Sequence, residues 1–156
     1  MRAGVPRAAR RRAAIAAAAL AFASAAVTAF WLLGGTAGLD TVGGEIERLA
    51  RERSTPMVLV LGLTLLLKLA AGMLAVALMR RSVARGVVRL ALVTGIVLSL
   101  YGGVLVAVGA VVLAGVGDPP SDSYALRTHV FLWDLWFFVW GLSLTRAALQ
   151  PRRHES

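Results

Sequence analysis

The sequence predicts an all-α protein, an antiparallel bundle of four transmembrane helices with a short amphipathic helix in its first, external loop. Three observations predict it. Of the 156 residues 58% are hydrophobic and the mean hydropathy is +0.75, far above the balance of a soluble domain. Four apolar runs each reach the roughly 20 residues that a helix needs to cross about 30 Å of hydrocarbon. The arginines gather in short clusters beside alternate ends of these runs, as topology-setting charge does. Each run is read as a helix because lipid-exposed backbone must satisfy its own hydrogen bonds.

The first span runs from about Ala13 to Gly34, after a basic tail over residues 1–12. Its beginning, "MRAGVPRAARRRAAIAAAALAFASA", has the form of a secretory signal with an Ala-x-Ala-like site at Ala23–Ala25. The apolar character continues through "VTAFWLLGG" and three more spans follow, so the reading is a retained helix with Trp31 in an outer aromatic belt. Its alanine richness reads as composition rather than as a repeat. In the loop that follows, "GGEIERLARERS" sets Glu47 four residues before Arg51 and Arg48 four before Glu52, beside an apolar stripe of Ile46, Leu49 and Ala50. That pattern predicts a short helix lying on the outer surface.

The second span runs from about Pro56 to Met79, with Thr55 as its N-cap and Pro56 in its first turn. The third, about Val87 to Val116, is longer than a bilayer requires and should tilt or emerge. It carries Gly95, Ser99, Gly102 and Gly109 on one face, a groove for close helix approach. The fourth, about Tyr124 to Thr145, has Asp122 or Ser123 as N-cap and is followed by a tail, residues 146–156, in which His154 is solvated. The whole chain, 1–156, reads as a single membrane domain.

Orientation follows from charge. Arg2, Arg7, Arg10, Arg11 and Arg12, then Arg80, Arg81, Arg85 and Arg89, then Arg146, Arg152 and Arg153 all fall on one side. The other side holds Arg48, Arg51, Arg53 and Arg127 together with Asp40, Glu45, Glu47, Glu52, Asp118 and Asp122. The positive-inside rule puts both termini in the cytoplasm. A net charge of +9 would suit nucleic acid, but the basic tracts lack interleaved aromatics and flank apolar runs; the expected partner is the lipid bilayer, with no nucleic acid. The absence of cysteine excludes disulfides and thiolate metal sites.

Two charges fall inside the spans. Lys68 lies about 18 Å below the outer start of its helix and Asp134 about 15 Å below the start of its own. Either charge alone at mid-bilayer costs at least ~2.5–3.5 kcal/mol, so the sequence predicts that they pair. Thr64, Lys68, Gly72 and Ala75 share one small, polar face. Two readings of the pair stand: a structural ion pair that fixes helix register, and a protonatable or ligand-binding centre. Arg127, nearer the surface, competes for Asp134 but is expected to snorkel outward. His129, Trp133, Trp136 and Trp140 follow one helical face, and on a regular α-helix Asp134 points roughly 120° away from it. That ridge is either a packing surface or, with Trp31 at the outer belt and Tyr101 at mid-membrane, the wall of an apolar pocket with His129 at its mouth. No metal site and no cofactor is expected, since a lone histidine is not a ligand set.

The segments "AFWLLGGTAGLDTVGGEIERLARER", "YGGVLVAVGAVVLAGV" and "LRTHVFLWDLWFFVWGL" resemble the small four-helix membrane proteins of domain-of-unknown-function family 3995, over about Ala29 to Leu144. The most specific pieces are Trp31–Thr36 and Trp133–Phe137. The resemblance implies a multipass protein of the bacterial plasma membrane, mainly of high-GC Gram-positive bacteria, and assigns no activity or catalytic residue. In the family pattern a proline often follows the aspartate; here Leu135 does, which implies that a proline kink is missing.

Three functions fit. The preferred one is a non-enzymatic accessory or interaction protein, working as a homo-oligomer or with a membrane partner, in which Lys68–Asp134 is structural. The second is a lipid-ligand-binding protein or membrane enzyme that uses Asp134, Lys68, Tyr101 and His129 for proton chemistry; no nucleophile motif or phosphate loop supports catalysis. The third is a small proton-coupled exporter, which the strong charge bias and the mid-membrane lysine disfavour.

Overall fold

The computed structural model describes residues 5–80, 82–116 and 123–149, and among these every regular element is helical. Helix α1 spans Val5–Leu32, a 3-10 turn follows at Leu39–Thr41, then α2 (Gly44–Arg51), α3 (Thr55–Leu78), α4 (Arg85–Leu113), α5 (Ser123–Thr128) and α6 (Leu135–Leu149). Between α5 and α6 the chain stays helical but widens into a π-turn, His129–Asp134. Among the described residues three helical stretches are long and apolar enough to cross a membrane: Ala8–Leu32, Thr55–Leu78 and Arg85–Leu113.

The helix ends have local causes. Gly34, at φ 102°, closes α1 with paired hydrogen bonds, Gly35 N to Phe30 O (2.9 Å) and Gly34 N to Trp31 O (3.0 Å). This is a Schellman stop, and it explains the paired glycines of the Trp31–Thr36 segment. Arg53 makes the same stop after α2 in the left-handed region, at φ 52°, without the freedom of glycine. Its guanidinium donates to Leu32 O at 3.3 Å, which ties α1 to the start of α3. The residue that precedes α3 is Ser54 rather than the expected Thr55, which is already helical. Ser54 offers no side-chain cap; its hydroxyl donates back to Leu49 O at 3.4 Å, because it also closes the α2 turn. The expected Asp122 cap lies outside the described residues.

The alanines of α1 are a packing face. Ala14, Ala17, Ala18, Ala21, Ser24, Ala25 and Thr28 are all buried, at the three- and four-residue spacings of a helix seam. They meet the small face of α3, where Gly72 leaves room for Phe22: a methyl there would lie 2.8 Å from that ring. The alanines that the sequence shows only as composition therefore also form a contact surface. In a span where about half the residues are alanine the buried stripe has little contrast.

The α4 groove behaves as the sequence predicts. Gly95, Gly102 and Gly109 are buried and face Thr145, Phe138 and Val130 in turn. Gly141 of α6 faces Ser99. The central core joins Ala17, Ala21, Ala71 and Ala75 to Leu78, Trp140 and Leu144. Helix α2 forms where expected and buries none of its residues. Arg51 reaches Glu47 at 2.8 Å, and Arg48 bridges Glu52 at 2.8 Å and also Glu45. The Arg48 hydrogen bond holds the Glu45 carboxyl below its ordinary value, and Glu45 and Glu52 together raise the Arg48 guanidinium.

Candidate functional site

The opening of α6 does not follow regular α geometry. In a π-turn each N–H bonds five residues back, so residues five apart lie one above the other. His129 and Asp134 are five apart. His129 Nε2 therefore sits 3.4 Å from Asp134 Oδ1, where a regular α-helix would have turned the two well away from each other. The ladder is interrupted here after all, by a widened turn instead of a proline. The contact is longer than a good hydrogen bond, and both Asp134 Oδ1 and His129 Nδ1 lack a hydrogen-bond partner among the described residues. Asp134 is 2% exposed.

Lys68 and Asp134 do not form the expected ion pair. Lys68 Nζ donates to Thr28 Oγ1 at 2.8 Å, and the Thr28 hydroxyl donates on to Ser24 O at 3.1 Å. The physical reason is packing. The small face of α3 lies against α1, which brings Thr28 to the ammonium, while the Phe137 ring stands 5.5 Å from it on the α6 side. Equal depth puts the two charges at one level without fixing which neighbour each helix faces. Arg127 is exposed, as expected.

The aromatic residues divide into two groups. Trp31 meets Trp133 edge-on at 5.4 Å, and Trp133 stacks on Trp136 at 6.5 Å. This group is tied down by its indole N–H groups: Trp31 to Ala37 O at 3.0 Å, Trp133 to Thr41 Oγ1 at 3.0 Å, Trp136 to Leu20 O at 3.1 Å. It packs helix to helix and helix to loop. The other group is Tyr101, edge-on to Phe137 at 5.7 Å, and Trp140, stacked on Phe137 at 6.0 Å. These three residues and Lys68 line one cleft of about 620 Å³ between α3 and α4. The rest of its wall is mainly apolar, including Leu67, Leu74, Val93 and Val97. Trp140 is 1% exposed, and its indole N–H finds no acceptor among the described residues.

Of the residues singled out from the sequence, the cleft thus gathers Thr64, Lys68, Tyr101 and Trp140. It leaves Trp31, His129, Trp133, Trp136 and Asp134 outside. Thr28, Ser24 and Phe137 were missed. Ser24 and Thr28, two hydroxyls one turn apart in an alanine helix, were a usable signal. Among the described residues no three His, Asp or Glu side chains converge as a metal would require. Chemically, the cleft brings one cation, Lys68, and the Tyr101 ring to a wall that is otherwise mainly apolar.

The family described as "Protein of unknown function (DUF3995)" matches residues 21–144, and the chain belongs to that family. No curated protein and no solved structure matches it.

Proposed function

We propose that this DUF3995 member is a multipass membrane protein that binds a long-chain carboxylate, a fatty-acid-like lipid, in the cleft between α3 and α4. The observation that carries this reading is Lys68. It is 9% exposed on a membrane-compatible helix, its one hydrogen-bonding partner among the described residues is a neutral hydroxyl, and it lines an apolar cleft. A buried ammonium without a counter-charge is costly, and a ligand carboxylate would supply one. Lysine has three N–H donors and Thr28 takes one. The Tyr101 hydroxyl, on the same cleft, is a second group suited to an acceptor head. The role is binding rather than catalysis.

The membrane arrangement is part of this proposal. Ser123–Leu149 is continuously helical and counts as a fourth span. The contacts support an antiparallel order: Gly95, Gly102 and Gly109 meet Thr145, Phe138 and Val130, so one helix ascends as the other descends, and Phe22 and Thr28 likewise meet Gly72 and Lys68. With four spans both termini share a side, and the arginine clusters put that side in the cytoplasm of a bacterial cell.

The test is oleate binding to purified protein in detergent, followed by isothermal calorimetry. Wild type should bind oleate about tenfold or more tightly than methyl oleate, a difference of at least ~1.4 kcal/mol. Lys68→Met should erase that preference. Equal affinity for acid and ester, or an unchanged preference in Lys68→Met, would sink the proposal.

A further inference from the structure

A second cleft, of about 680 Å³, lies between the first half of α1 and the last half of α6, remote from Lys68. Its α1 wall is a stripe of methyl side chains, Ala9, Ala13 and Ala16, at i, i+4 and i+7. Its α6 wall is Val139, Leu142 and Ser143, whose hydroxyl is turned back to donate to Val139 O at 2.8 Å. Two cations line the same cleft, Arg12 on α1 and Arg146 one turn beyond Leu142. Among the described residues no acid lines it.

We propose that this cleft is a binding site for one anionic glycerophospholipid, with the phosphate held between Arg12 and Arg146 and an acyl chain lying along the alanine trough. Two like charges on one cleft repel, and an anion between them converts that repulsion into attraction. Guanidinium groups suit this because each presents a planar fork of donors that matches phosphate oxygens. The trough decides the occupant. From Arg12 inward, the Ala13 and Ala16 methyls leave a shallow apolar channel beside the charges, which fits a hydrocarbon joined to a phosphate rather than a free ion. The position agrees: Arg12 stands near the beginning of the apolar stretch Ala8–Leu32, and Arg146 is in the last turn of α6, so both groups fall at headgroup level. The inference rests on the chain lying in a bilayer and not on the α3–α4 cleft.

The test is native mass spectrometry of the full chain in detergent, titrated with dioleoylphosphatidylglycerol, dioleoylphosphatidylcholine and inorganic phosphate. Wild type should retain one phosphatidylglycerol about tenfold more tightly than phosphatidylcholine. The double variant Arg12→Gln/Arg146→Gln should lower phosphatidylglycerol to the phosphatidylcholine level. The control Arg85→Gln/Arg89→Gln removes equal charge elsewhere and should keep the preference. Ala16→Phe, at an exposed position, keeps both arginines but fills the trough, and should weaken both lipids. It decides the matter if the double arginine variant does not fold. The proposal is overturned if Ala16→Phe binds like wild type, if the two arginine doubles behave alike, or if millimolar phosphate displaces the lipid. Lys68→Met should retain the lipid preference, so failure here is separable from failure of the oleate site.

Discussion

The seam between α4 and α6 and the cleft between α3 and α4 are both contacts between apolar helices, yet one closes and the other stays open. Along the seam Gly95, Gly102 and Gly109 recur every seven residues and Gly141 answers from the other side. Backbone meets backbone: a methyl added at Gly102 would lie 2.5 Å from Phe138 N and 2.6 Å from Asp134 O. Across the cleft, α3 presents Leu67 and Leu74 and α4 presents Leu90, Val93 and Val97, and about 620 Å³ remains between them. Lipid is as apolar as leucine, so burying apolar area supplies little drive for helix association within a bilayer. Side-chain size decides instead. Where glycines face each other the backbones touch; where leucines and valines predominate, as along the cleft that Ala70 and Ala71 also line, a space persists.

The largest effect should come from breaking the seam. Gly102→Leu forces side-chain atoms against backbone that cannot rotate away. Overpacking of a core costs about 1–3 kcal/mol, and a backbone clash belongs at or above the top of that range. Fluorescence-detected size exclusion after heating should show a strongly lowered midpoint, or no folded protein. Gly62→Leu in α3 has nothing within 4 Å of the added carbon and should leave the midpoint near wild type. Equal shifts in the two variants would break the comparison.

Next is the pair that the sequence put together and the fold separates. A structural Lys68–Asp134 ion pair would make either single leucine substitution destabilising by about 3–5 kcal/mol, with rescue in the double. The observed partners, Thr28 for Lys68 and His129 for Asp134, predict that the two effects add to within about 0.5 kcal/mol. A double-mutant cycle of thermal midpoints measures this. Strong coupling would mean that the two charges meet, and would close the cleft's claim on Lys68.

What was legible in the sequence follows from the same contrast. The long apolar helices and the glycine groove were readable because an apolar run, or glycine at every seventh position, stands out from its surroundings. The α1 seam was not, since alanine serves as both filler and contact there. The π-turn was invisible because no single residue encodes it; it changes the angular step on which the separation of His129 from Asp134 relied. The division of the aromatic residues depended on which helices adjoin, and a one-dimensional pattern does not carry that. Lys68 was found as a charge at the right depth but given the wrong neighbour.

A moderate effect is expected at the far end of the seam, where side-chain hydrogen bonds take over from glycine contacts. Trp133→Phe keeps the aromatic contact to Trp31 but loses the bond to Thr41, worth about 1 kcal/mol net. Hydrogen exchange should quicken around residues 38–43 and remain slow at Gly95–Gly102. Thr41→Val should have a similar effect, and the double variant should add little to either single one, because both remove one bond.

The smallest effect belongs to α2, whose ion pairs face water. Glu45 titrates below its ordinary value because the Arg48 guanidinium bonds its charged form. A carboxyl held low in the folded state supports the helix above the unfolded value, and that support is lost as the pH falls through the folded one. The loss therefore falls below the ordinary glutamate value of about 4.3. Amide exchange in α2 should quicken there, and should also quicken at neutral pH in 1 M salt, which screens exposed pairs. Over the same range Gly95 and Gly102 should not respond, because backbone packing rather than charge holds them. A matching response in the seam would mean that the two ends of the molecule open together, and that α4 and α6 depend on more than the size of the side chains between them.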